Sequence, residues 1–283
     1  MSAATATVTA PVRPRSAGTV HLSFPRLVRS EWIKFWTVRS TLWVLPITVL
    51  SMVGISFLVA YFSSNLLDGD EAATVDGVTW LVQGVGFAQL AIVVIAALTI
   101  TGEYSTGMIR TTLTTEPRRL PALWAKLTVI VPVTFLVTTV GALLSWAVTA
   151  PVVPDGYSVD LGDGEQLRAF VGVPLYMSGI ALLAFAVGAL LRHSAAALAT
   201  VLGLLLVIET VFSAIPATFF REVSPFLPGT AGSRILYNQA TLDMMSEDST
   251  GTVLGPWAGY GVLIAWGLVA LAAAAVLLRR RDA

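Results

Sequence analysis

The chain contains no cysteine. Thiol catalysis, disulfides and thiolate-bound metals are excluded with it, while the redox compartment stays open. Histidine is nearly absent as well: His21 and His193 lie far apart, which argues against a histidine-rich metal centre. Charge is scarce, at 12% of residues, where soluble domains carry about a quarter. Hydrophobic residues make up 55% and the mean hydropathy is +0.79, the balance of an integral membrane protein. No G-x-x-x-x-G-K-[ST] loop occurs, so the chain does not bind nucleotide by that route, and ATP-driven work requires another subunit. There is no H-E-x-x-H, no G-x-S-x-G and no paired carboxylate set within the apolar runs. Neither a catalytic residue, nor a metal ligand, nor an enzyme activity is therefore expected, and nucleic acid is not expected as a partner.

What is present is a succession of apolar runs. Residues 1–22 hold Ala, Thr, Pro and Ser with Arg13 and Arg15 and show no apolar periodicity, which predicts a disordered cytoplasmic tail. No apolar core follows those arginines as a signal peptide would need. Residues 23–283 form the membrane domain. In 23–39, Phe24, Leu27, Val28, Trp32, Phe35 and Trp36 recur at helical spacing, with Arg26, Arg29, Ser30 and Lys34 largely opposite, which predicts an amphipathic interfacial helix. Glu31 falls inside the apolar sector. It is paired locally with Lys34, or reaching for water, or in contact with the cytoplasmic loop or a partner.

Six spans are expected at about 41–62, 81–100, 127–149, 169–191, 195–215 and 257–278, each long enough for roughly 30 Å of hydrocarbon. Pro46 and Pro132 fall near the starts of the first and third, where their cost is low. The connection 216–256 contains no spanning run, yet Phe219, Phe220 and Phe226 are too apolar for a plain solvent loop. A re-entrant helical hairpin dipping into the outer leaflet fits it, its irregular backbone sheltered by protein. The fold class is thus all-α and polytopic. With the N terminus inside, 14 of the 17 basic residues fall on cytoplasmic segments and only Arg168, Arg221 and Arg234 outside. That split is a strong positive-inside signal and places both termini in the cytoplasm.

Two features could carry function. Glu209 is the only ionisable residue deep in a span, and it is open to three readings: a structural hydrogen bond, a polar lining of a pathway, or a proton relay. The second is the polar stretch 101–126, TGEYSTGMIRTTLTTEPRRLPALWAK, between the second and third spans. Glu103 to Leu113 is expected as one short helix, Pro117 as its break, and Pro121 as the start of a second running through Trp124 and Lys126. Such a pair could be a knob for a groove in another protein, or an ordinary solvated loop held to headgroups by Arg118, Arg119 and Lys126. A small-residue face on the last span, Gly255, Ala258, Gly259, Gly261 and Ala265, suits close packing within the chain.

Several pieces together resemble one family: LVRSEWIKFWTVRSTLW, GEYSTGMIRTTLTTEPRRLPALWAK after the second span, a fifth-span Glu followed by SPFLPGTAG, and a final LLRRRDA. In combination, from about Phe24 onward, they resemble the permease subunits of ABC type-2 exporters. The resemblance implies a membrane-spanning transport subunit of a bacterial plasma (inner) membrane. It would pair with a second permease subunit, identical or different, and two copies of an ABC ATPase subunit would drive it. The chain would bind no cofactor itself, ATP and Mg being held by the ATPase. The coupling residues would be Glu103, Tyr104, Thr106, Gly107, Met108, Ile109, Arg110, Thr111 and Leu113, and the extracellular gate 216–238. Pathway and gate candidates are Trp43, Gln83, Gln89, Glu209, Phe219, Phe220 and Phe226, with Ser51, Ser56 and Thr99 as further polar positions. Two alternatives stand beside this: a non-transporting membrane scaffold or sensor, and a proton-coupled carrier using Glu209.

Overall fold

The computed structural model describes residues 23–64, 77–107, 119–153, 158–247 and 252–280. Among them the chain is all-helical, with no strand, and six helices are long and apolar enough to cross a membrane. This is the architecture of a multi-pass membrane protein. The helices are α1 (Phe24–Thr37), α2 (Arg39–Ser64), α3 (Gly77–Ser105), α4 (Arg119–Thr149), α5 (Gly164–Leu191), α6 (Ser194–Ala214), α7 (Thr218–Val223), α8 (Pro228–Ser233), α9 (Gln239–Glu247) and α10 (Pro256–Arg280). The long ones are α2 to α6 and α10. They run alternately up and down, so one end of the bundle carries α1, the end of α3, the start of α4, the α5–α6 turn and the end of α10. The short pieces α7 to α9 lie at the opposite end.

α5 is the axis of the bundle. In its most apolar stretch 89% of residues are buried, against 22% for α2, α6 and α10. α3, α4 and α10 pack around it, and α2 packs on α3 and α4. Small residues set the closest approaches, as expected where helices associate without a hydrophobic drive between them. Met52 of α2 is fully buried between Gly84 of α3 and Gly141 of α4, and Leu263 of α10 between Gly179 of α5 and Gly232 of α8. A Cβ at position 84 would sit 2.2 Å from Met52 O, whereas at Gly86 it would meet nothing. Gly84→Ala is therefore expected to cost about 1–3 kcal/mol through overpacking, and Gly86→Ala little. Thermal unfolding in one detergent compares them, and equal melting points would contradict this packing.

Each predicted span lies on one of the six long helices, but the helices outrun the spans at several ends. α3 begins at Gly77 and continues unbroken to Ser105, so no separate helix starts at Glu103. That expectation is corrected: α3 ends at Ser105 and the chain turns away at Gly107, whose φ of +72° is the left-handed conformation glycine adopts at low cost. α4 starts at Arg119, which leaves Pro132 well inside the helix rather than near its beginning. Pro46 is likewise inside α2, two turns from Arg39. α1 forms where expected, but its inward row is Leu27, Val28, Glu31, Lys34 and Phe35, with Glu31 and Phe35 buried. Lys34 thus belongs to the row facing the bundle, not to the opposite one.

The segment after α6 is compact. Pro225, Leu227 and the whole run Arg234–Leu236 are buried, packed on α5 and α10. Gly259 of α10 makes the close approach here, since a Cβ there would meet Ala231 O at 2.2 Å, while Gly255 and Gly261 face open space. Only part of the small-residue face is thus used within the chain. The segment's exit is tied to α5, where Arg168 donates to Tyr237 O (2.6 Å) and Glu165 accepts from the Gln239 N–H (2.9 Å).

Candidate functional site

Two polar assemblies stand out, one at each end of the bundle. At the α1 end four charged side chains meet from three helices. Lys126, in the second turn of α4, has a side chain only 3% exposed. Its Nζ donates to Glu31 Oε2 of α1 (2.5 Å) and Glu103 Oε1 of α3 (2.7 Å). Lys34 closes the group from its half-exposed edge, donating to Glu31 Oε1 (2.8 Å) and Glu103 Oε1 (3.1 Å). The cluster is neutral overall, two ammonium groups against two carboxylates. Burial works against the charge on Lys34, but the hydrogen bond and charge of Glu31, and then those of Glu103, outweigh it and raise its pKa above the ordinary lysine value.

The network joins two of the readings of Glu31 in one geometry: it pairs with Lys34 in its own helix and also reaches the end of the 101–126 stretch. Lys126 does not serve as a headgroup anchor, because it is enclosed. Glu103 is likewise enclosed, at 5% exposure, in the last turns of α3. Tyr104 is partly buried with the Arg192 guanidinium 5.5 Å above its ring, and Thr106 and Gly107 form the turn that ends α3. Met108, Ile109, Arg110, Thr111 and Leu113 lie outside the described residues, as does Arg118.

A cavity of about 330 Å³ adjoins the network, between α1, α2, α3 and α4. Its walls are largely apolar, with Val44, Val94 and Leu98 among them, and the charged cluster forms one end. Glu103 lines it, and Glu103 Oε2 is buried without a hydrogen-bond partner.

The second assembly surrounds Glu209. The backbone of α6 widens to π-helical geometry over Gly203–Ile208, and the Glu209 N–H reaches back to Leu204 O. A wide turn of this kind shifts the residues after it around the helix and recurs at functional positions. It aims Glu209 at α8, where the carboxylate accepts from the Gly229 N–H (2.7 Å) and the Thr230 hydroxyl (3.0 Å). The hydrogen-bond reading is thus realised, with partners on the following segment rather than on its own helix. A second cavity, of about 360 Å³, is lined by Glu209 together with Gln89, which accepts from Tyr176 OH (2.8 Å), and Arg234, 9% exposed, which donates to Leu254 O (2.9 Å).

The other pathway candidates scatter. Trp43 is 72% exposed on α2, and Gln83 is exposed on α3. Phe219 and Phe220 meet Phe212 in tilted and edge-on contacts on α6 and α7, and the Phe226 carbonyl accepts from Trp266 Nε1. Ser51 and Thr99 bond within their own helices, and Ser56 donates to Leu81 O of α3. The structure brings together Gln89 with Glu209, and separately Phe219 with Phe220. Sequence reasoning missed Tyr176 and Arg234 as neighbours of the first pair. It also missed the joining of Lys126 to Glu103, for which a lone lysine opening an apolar run was the available signal.

The chain matches no family model and no curated protein.

Proposed function

We propose that this chain is the membrane-spanning permease subunit of an ATP-driven exporter, driven through the segment between α3 and α4. One observation carries the reading. Both ends of that segment are locked, through Glu103 and Lys126, to each other and to α1 by the buried ion-pair network. With α1, α3 and α4 tied together by it, force delivered to the end of α3 and the start of α4 passes into the three helices as one body. α1, with Trp32 and Trp36 exposed, lies in the cytoplasmic membrane interface, and residues 216–238 form a re-entrant gate in the outer leaflet. Both termini are cytoplasmic, in agreement with the distribution of basic residues. A second permease subunit completes the pathway and two ATPase subunits supply the nucleotide chemistry.

A proton-coupled carrier would need Glu209 available to exchange protons with water. Its carboxylate instead holds α8 through two hydrogen bonds, which favours a role in fastening the gate. Co-purification with the ATPase subunit tests the main reading. Tyr104→Ala combined with Ile109→Ala is expected to abolish complex formation while leaving the permease folded. If the double variant retains the ATPase as tightly as wild type, the ATPase grips the chain elsewhere. If reconstituted vesicles containing both subunits show no ATP-dependent transport, the scaffold reading takes its place.

A further inference from the structure

The outer half of α6 is held by very little. Leu205 is its last core residue, and from Leu206 to Ala214 the only buried side chain is that of Glu209. Leu206, Val207, Ile208, Thr210 and Val211 are exposed, while Phe212 leans on Phe219 and Phe220 of α7, the segment that follows directly. Beyond Leu202 the backbone of α6 lies close mainly to its own neighbours in sequence rather than to the other spanning helices. The rotational setting of this half therefore rests on one carboxylate, which accepts from the Gly229 N–H and the Thr230 hydroxyl of α8.

The backbone that places this carboxylate is of the rarer kind. Over Gly203–Ile208 the bonds run to the fifth residue back, as from the Glu209 N–H to Leu204 O, so the turn holds one residue more than α geometry does. A π turn persists inside a helix only where something favours it over the commoner α form. Here that something is the pair of bonds from α8. Were the turn to close into α geometry, every later residue would move one place along the helix, about 100° around its axis and about 1.5 Å along it. Ile208 would then face α8, where it accepts no hydrogen bond, and Glu209 would take the direction that Thr210 has now. Thr210 lines the cavity of about 360 Å³ with Gln89, Ser213 and Arg234, so the carboxylate would arrive among polar side chains rather than in hydrocarbon.

We propose that α6 is a two-register helix, in which closing of the π turn exchanges Glu209 for Ile208 opposite α8 and unfastens α8 in the same movement. The device is complete within one chain and does not rest on the exporter reading.

Spin labels on the full chain, one chain per lipid nanodisc, read the register directly. The protein has no cysteine of its own, so only introduced pairs take the label. Thr210→Cys or Val211→Cys on α6 is paired with Leu50→Cys on α2 and, separately, with Val269→Cys on α10, both reference positions being 69% exposed. A step of about 100° moves a side-chain tip by about 8 Å on a helix about 10–12 Å across, which pulsed electron spin resonance resolves. With Glu209→Ala, the label at 210 is expected to report, from both reference positions, the distances that the label at 211 reports with Glu209 present. The ratio of the two registers should shift by about tenfold or more. Distances from 210 that stay unchanged by Glu209→Ala would overturn the proposal, and so would a change that fails to match position 211 from either reference, since the helix would then swing without changing register.

Discussion

Lys126→Met should be among the most destabilising single substitutions in the chain, at about 3–5 kcal/mol. The methionine fits the space, so the loss is electrostatic. Glu31 and Glu103 would remain enclosed, at 8% and 5% exposure, with their central cation gone. Lys34 reaches both carboxylates but is itself 38% exposed and leaves Glu31 Oε2 without a donor. The cost should be largely recovered in the triple variant Lys126→Met, Glu31→Gln, Glu103→Gln, because removing all the enclosed charges removes the penalty that a broken pair leaves behind. Chemical denaturation followed by fluorescence of the eight tryptophans gives both numbers. A change below about 0.5 kcal/mol for the single variant, the range of ordinary surface substitutions, would mean that the network holds nothing together.

The triple variant also separates stability from coupling. On the exporter reading proposed above, a restored fold without ATP-driven transport would mean that the charges serve to tie the α3–α4 connection to α1. If transport returns with stability, apolar packing among the three helices is sufficient for that tie. The distinction matters because buried ion pairs are often no more stabilising than apolar residues of similar volume.

The spans were legible because hydrocarbon imposes a length and a composition that ordinary cores do not. α1 was legible from periodicity, and Glu31 could be singled out because it broke that periodicity. Its partners could not, since Lys126 is 95 residues away and Glu103 meets Lys126 only through helix packing. The helix expected from Glu103 illustrates the same limit. A change from apolar to polar residues marks where the bilayer ends, not where the helix does, and backbone hydrogen bonding carried α3 on to Ser105. For Glu209 the anomaly was visible and its resolution was not. The carboxylate's partners, Gly229 and Thr230, come from the next segment, and the π-helical turn that aims it has no signature in GLLLVI.

Glu209→Ala is expected to release the segment between α6 and α10, and the absence of cysteine makes this directly measurable. A single cysteine at Leu227→Cys, 6% exposed beside α8, would be the only thiol in the protein. α7 and α8 are six residues each, too short to be stable alone: α8 depends on packing against α5 and α10 and on the carboxylate of Glu209, while α7 rests on the end of α6. Losing a charged acceptor and leaving the Gly229 N–H buried and unpaired costs about 1.5–3 kcal/mol. If opening is fast and labelling tracks the open population, that cost raises the maleimide rate about tenfold or more. Glu209→Gln keeps an oxygen for the Gly229 N–H and should label nearly as slowly as wild type. Equal and slow rates in all three would show that packing alone holds the segment. A Gln variant as fast as the Ala one would show that the negative charge is the fastening, and protonation of Glu209 would then open the segment, joining it to the proton reading that the carboxylate's two hydrogen bonds otherwise disfavour.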